Sequence, residues 1–143
     1  MPAADYSFPI EKGTSFFISF DYKDDTGTSI NLTNWCARLR WVDNQNTIKT
    51  FTTNTTNSEY QFYIEPLIGR IVLKFPATTT AAFTFLSASY DLELQEPNDL
   101  YDGGGKRVFR ILKGNISIVT RNVGDDDAFV CETDQQDPCN NCS

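Results

Sequence analysis

The sequence predicts an all-β fold, a sandwich of about seven short strands. Three observations carry that expectation. Apolar residues alternate at period two in segment after segment of the 143 positions, the mark of strands with one buried face. Turn-forming residues punctuate the chain at intervals of roughly ten to fifteen positions. A single stretch, ATTTAAFTFLSAS, also fits a helical turn.

The strand in TSFFISFDYK turns Phe16, Ile18, Phe20 and Tyr22 inward, with Ser19, Asp21 and Lys23 opposite. Asp24-Asp25-Thr26-Gly27 then supplies a turn. In WCARLRW, Trp35, Ala37, Leu39 and Trp41 share one face, while Cys36, Arg38 and Arg40 share the other. Cys36 is therefore not expected in the core. A short strand follows over residues 47–52, around Phe51, and a polar turn over 54–58. EYQFYIE turns Tyr60, Phe62 and Ile64 inward. A loop over 66–69 leads into RIVLKF, with Ile71, Leu73 and Phe75 inward. Pro76 ends that strand because it lacks a ladder donor.

ATTTAAFTFLSAS has two readings: a helical turn capped by Thr78 and running to about Phe83, or a loop crossing between sheets. YDLELQE turns Tyr90, Leu92 and Leu94 inward and Asp91 and Glu93 outward. PNDLYDGGGK reads as a hairpin loop. RVFRILKGNISIVTRN completes the body, with Gly114 marking a bend or bulge between two apolar runs. Tyr90 stands two residues before inward Leu92, as in the tyrosine corner of immunoglobulin-like sandwiches. It reads equally as an ordinary half-buried strand tyrosine. Leu92 occupies the place where the inter-sheet disulfide of antibody domains needs a cysteine. The expected organisation is an immunoglobulin-like sandwich over residues 1–123 and an irregular, acidic, cysteine-containing tail over 124–143.

Composition narrows the function. The net charge is −7, which disfavours phosphate backbones and anionic membranes as partners. The basic cluster at residues 106–110 reads as a solvated strand end. The sequence has no histidine, which removes Ser-His-Asp and Cys-His nucleophiles and the commonest ligand of catalytic zinc. No apolar run approaches the roughly 20 residues of a membrane span, and residues 1–10 do not read as a secretory signal. GGGK at 103–106 lacks the spacing and the hydroxyl residue of a phosphate loop. The acidic clusters match no calcium-loop spacing.

The cysteines offer the one candidate site for a cofactor. Cys131, Cys139 and Cys142 fall within the last thirteen residues. With outward-facing Cys36, or a cysteine of a neighbouring chain, they supply ligands for zinc or an iron–sulfur cluster. Disulfides and unpaired thiols in a disordered tail are the other two readings, the disulfides disfavoured by the missing export signal. Phe129 and Val130 are candidate anchors for docking the tail on a partner.

Four segments carry a family resemblance: PIEKGTSFFISFDYKDDTGTSINLTNW, GRIVLKFPATTTAAF, YDLEL and RVFRILKGNISIVTRNV. Together, over residues 8–123, they resemble a small immunoglobulin-like virion domain of tailed bacteriophages. It is similar to the N-terminal domain of upper baseplate proteins in phages of Gram-positive hosts. The resemblance implies a structural part in the virion, made in the cytoplasm of the host bacterium. Its partners are then other virion proteins or further copies of itself, and it performs no catalysis. The cysteine tail has no counterpart in that pattern.

The expected function is thus a tail or baseplate adaptor, with capsid decoration as a variant of the same role. A carbohydrate-binding module is the first rival, with Trp35 and Trp41 as sugar platforms, although alternation turns both inward. A hydrolase with paired carboxylates is the second.

Overall fold

The computed structural model describes residues 3–53, 57–97 and 106–120. Nine strands form among them: β1 (Ala4–Asp5), β2 (Phe8–Glu11), β3 (Phe16–Asp21), β4 (Cys36–Asp43), β5 (Ile48–Thr52), β6 (Gln61–Glu65), β7 (Arg70–Phe75), β8 (Ser87–Gln95) and β9 (Val108–Val119). They make two packed sheets, one six-stranded with order β1-β9-β8-β4-β5 and β2 also on β9, the other three-stranded with order β3-β7-β6. The sandwich-like, mainly β expectation holds, with more strands than the sequence reading counted. The two extra ones, β1 and β2, pair parallel with β9.

Alternation placed the core correctly. Along β4 the pattern is strict, with Ala37, Leu39 and Trp41 buried and Arg38 and Arg40 exposed. Leu39, Leu92, Leu94, Ile71, Leu73 and Phe75 meet between the layers, all at most 1% exposed. Trp41 is the hub of an aromatic cluster. Its ring centroid lies 4.8 Å from Phe51, 5.4 Å from Phe85, 5.7 Å from Phe83 and 6.1 Å from Phe75. Full burial of each such ring contributes about 1.5–3 kcal/mol.

Turn chemistry explains the connections. Asp43 is buried, and its Oδ1 accepts the N–H groups of Gln45 at 2.8 Å and Thr47 at 2.9 Å, closing the β4–β5 hairpin. Pro66–Ile68 forms a 3₁₀ turn that ends at Gly69, whose φ is 64°. A Cβ there would lie 2.5 Å from the Ile30 carbonyl oxygen, so conformation and space both demand glycine.

Several expectations need correction. The helical turn exists, as α1 (Ala77–Ala81), but Pro76 is its N-cap and Thr78 is not. The fixed φ of proline starts the turn, and its carbonyl accepts from Thr79 at 3.0 Å and Thr80 at 3.2 Å. Gly114 marks no bulge, because β9 runs through it. The register shift falls opposite Leu92/Glu93, where Leu92 pairs Leu112 and Glu93 pairs Arg110, leaving Ile111 as the extra residue. That insertion switches the inward set from Phe109 and Ile111 to Leu112, Ile116 and Ile118. Tyr90 is neither half-buried nor a local corner. It is 2% exposed, and its hydroxyl bonds to Tyr6, far upstream. The predicted turns over 54–58 and 97–106 lie partly outside the described residues.

Candidate functional site

Of the predicted metal ligands, Cys36 lies among the described residues. Cys131, Cys139 and Cys142, and the predicted anchors Phe129 and Val130, lie outside them. Cys36 opens β4, half-buried on the outward face as expected, opposite Gln95. It borders a hollow of about 250 Å³ with Arg38, Thr52, Glu93 and Val108. No group of three or more His, Cys, Asp or Glu among the described residues could hold a metal ion.

Topology sets a condition on any site that joins Cys36 to the tail. Cys36 pairs Gln95 and Gln95 pairs Val108, so Cys36 lies level with the start of β9, two strands away, whereas the tail follows the far end at Val119. At about 3.3 Å per residue those ends are roughly 36 Å apart. Cys131 spans that length only near full extension, at about 3.3–3.6 Å per residue. Cys139 and Cys142 have more chain to spend.

The outward face of the larger sheet is a charge ladder. Cross-strand rows read Arg38–Glu93–Arg110 and Arg40–Asp91–Lys113. The Arg38 guanidinium donates through Nε, at 2.8 Å, and through a terminal nitrogen to the same Glu93 oxygen. Arg110 reaches diagonally to Asp91 at 3.3 Å. Arg107 donates to the buried Glu96 at 2.5 Å and lies 5.1 Å over the Phe109 ring. The exposed pairs, Arg38–Glu93 and Arg110–Asp91, contribute about 0–1 kcal/mol each. Their consequence is chemical: these carboxylates face arginines and not one another across a cleft.

The outward face of the smaller sheet carries the rows Phe17–Lys74–Gln61, Ser19–Val72–Tyr63 and Asp21–Arg70–Glu65. The Lys74 ammonium lies 5.6 Å from the centroid of Phe17 and 5.5 Å from that of Tyr63, contacts worth about 0.5–1 kcal/mol each at exposed sites. Val72, on the central strand, is 1% exposed although it belongs to this outer face. Arg70 donates to Asp21 at 2.8 Å. That hydrogen bond is the main reason the Asp21 carboxyl sits below its usual 3.8. A groove of about 620 Å³ runs alongside, lined by Phe17, Asn57, Tyr60, Gln61, Lys74 and Pro76 among others. The sequence reading did not single out this face. Its signal was present in Phe16-Phe17, since adjacent strand residues point to opposite sides.

Trp41, 1% exposed, cannot stack on a sugar. Trp35 is half-buried and stacks on Phe109 at 6.3 Å and 24°. Comparison with models of known protein families and with curated protein sequences finds no match to this chain.

Proposed function

We propose that this chain is a non-enzymatic structural component of a tailed-phage virion, a tail or baseplate adaptor with an immunoglobulin-like sandwich. The observation that carries the reading is where the phage-like segments fall. They run from β2 through β3 to Trp35, just before β4, and over β7 with α1 and over β8 and β9, so strands of both sheets carry them. The strand order supports the finer fold: β3-β7-β6 matches B-E-D, and β5-β4-β8-β9 matches C′-C-F-G. A buried tryptophan on β4, Trp41, stands where such domains carry one on strand C. The arginine-bonded carboxylates support a docking surface over a hydrolytic one.

In this role the chain is made in the host bacterium and built into the particle. It contacts other virion proteins or its own copies, and neither nucleic acid nor membrane. Many copies let modest patches suffice. Electron microscopy of intact particles with the chain labelled is expected to place it at a symmetric station on the tail or baseplate. Its absence from purified particles overturns the proposal, and a capsid location moves it to decoration.

A second reading, sugar binding, is supported by exposed Phe17 and Tyr63 beside a groove with Asn57 and Gln61. Glycan-array signal that Phe17→Ala abolishes is the result it requires.

A further inference from the structure

Among the described residues, four strand edges bound the two sheets: the β1–β2 stretch and β5 in the larger, β3 and β6 in the smaller. An open edge presents unpaired N–H and C=O groups, and proteins guard such edges with proline, lysine or interruption. The β1–β2 edge is interrupted and carries Pro9, and β5 carries Lys49. β6 carries Glu65 and stops against Pro66. β3, FFISFD, has six residues, no proline or lysine, and one charge at its end.

The hydrogen-bond pattern fixes what β3 offers. Tyr22 donates its N–H to Gly69 at 2.8 Å. In the same register, Phe20, Ile18 and Phe16 follow at two-residue steps opposite Ile71, Leu73 and Phe75. Bonded and non-bonded pairs alternate in an antiparallel ladder. Those residues therefore turn their backbone groups toward β7, and Phe17, Ser19 and Asp21 turn theirs to the open side. The side chains agree. Phe16, Ile18 and Phe20 are half-buried, whereas Ile71, Leu73 and Phe75 opposite them are sealed. Tyr6 and Phe8 touch the Phe20 and Phe16 rings, but among the described residues the stripe has a paired strand, β7, on one flank only.

We infer that β3 is a docking strand for the β3 of a second copy of this chain, paired antiparallel about a two-fold axis through Ser19. A two-fold contact uses one patch on both copies, and this strand complements itself in that register. Phe17, Ser19 and Asp21 meet the partner's Asp21, Ser19 and Phe17, so all three open residues find bonded pairs, about six hydrogen bonds. Small Ser19 faces its own copy at the axis. Ile18 meets the partner's Phe20, which continues the apolar stripe. Lys74 and the partner's Asp21 fall in one row, opposite charges flanking Phe17. A shift by two residues leaves one open residue of each strand beyond the end of the other. The result is a continuous sheet across the interface. It rests on edge geometry and not on the virion reading.

The test is sedimentation velocity on the full chain in reducing buffer across a concentration series, with amide exchange measured in parallel. The expected result is a species of twice the 16.2 kDa chain mass, with the amides of Phe17, Ser19 and Asp21 gaining protection as it forms. Ser19→Pro removes the donor at the axis, and Phe17→Lys puts a charge on the edge. Each is expected to be a folded monomer by circular dichroism. If Ser19→Pro fails to fold, Phe17→Lys decides, and amide protection decides if neither folds. A monomer at every concentration, a dimer whose three amides exchange freely, or a dimer persisting in any folded variant overturns the inference.

Discussion

The Tyr90 hydroxyl donates to the Tyr6 carbonyl at 2.5 Å, across 84 positions of sequence. It reaches from the middle of β8, beneath Gly114 of β9, to the link between β1 and β2. The bond pins the first strands of the chain to the sheet at the point where their own ladder with β9 is interrupted.

Tyr90→Phe keeps the ring but removes that bond. A net hydrogen bond contributes about 0.5–1.5 kcal/mol, and a part-buried carbonyl left without its donor adds to the loss, so the cost is about 1–2 kcal/mol. The expected readout is a lower urea midpoint with an unchanged slope. Burial, with a smaller contribution from Tyr6, pushes the Tyr90 hydroxyl up to about 12 from 10.0. A folded value above the unfolded one means stability is intact below pH 10 and is lost as pH rises through about 12. Tyr90→Phe is expected to lack this loss between pH 10 and 12, within the window set by those two values.

Gly114 lets the two tyrosines meet. A Cβ at this position would stand 2.0 Å from the Tyr6 carbonyl oxygen and 3.1 Å from the Tyr90 ring. The contact is with backbone, which cannot rotate away. Gly114→Ala is expected to lose at least the roughly 1–3 kcal/mol of an overpacked site and to speed amide exchange at Tyr6, whose N–H bonds to Lys113 at 2.9 Å. Wild-type exchange at Tyr6 in the variant contradicts the packing argument.

The sequence made the faces of the strands readable and left their partners obscure. Period-two alternation sorts Leu39 from Arg40 and Leu92 from Glu93 because each side of a strand sees one environment. Parallel pairing of β1 and β2 with β9 could not be read, since the segment is short and carries Pro9. Ile111-Leu112 did carry a trace of the parity switch, two adjacent apolar residues in an alternating strand, but glycine drew the expectation to Gly114. Val72 is buried on the outer side because its strand is central and Lys74 and Tyr63 flank it, a property of sheet order that no local pattern encodes. Of the predicted site, Cys36 lies among the described residues, and its outward placement was legible from alternation. The Phe17–Lys74–Tyr63 stack needs the register of three strands before it exists.

Asp24 organises the turn after β3. Its Oδ1 accepts from the Thr26 hydroxyl at 2.6 Å, the Thr26 N–H at 2.9 Å and the Thr28 N–H at 3.0 Å. These bonds, the Thr26 hydroxyl first, hold its carboxyl below 3.8. A depressed folded value means the turn contributes stability above the ordinary carboxylate range and loses it as pH falls through the lowered value. NMR titration is expected to give Asp24 a midpoint below 3.8. Thr26→Val is expected to move that midpoint upward, and no movement would exclude the hydroxyl as the leading cause.

Thr80 is the joint between α1 and the turn that leads into β3. It is fully buried; its hydroxyl accepts from the Gly13 N–H at 3.0 Å and donates to the Thr14 carbonyl at 2.7 Å. Gly13 has φ of 80°, so the turn it belongs to is held in a conformation few residues adopt. Thr80→Val matches the shape but leaves a buried donor and acceptor without their partner, a loss of about 1–3 kcal/mol. Thr80→Ser restores both bonds and gives up one methyl group, about 0.8 kcal/mol at full burial. The two variants therefore separate bonding from packing. Urea titration is expected to rank wild type above Thr80→Ser above Thr80→Val, with faster Gly13 amide exchange in the valine variant alone. A valine variant more stable than the serine variant would mean that the methyl group, and not the hydroxyl, fastens α1 to the sandwich.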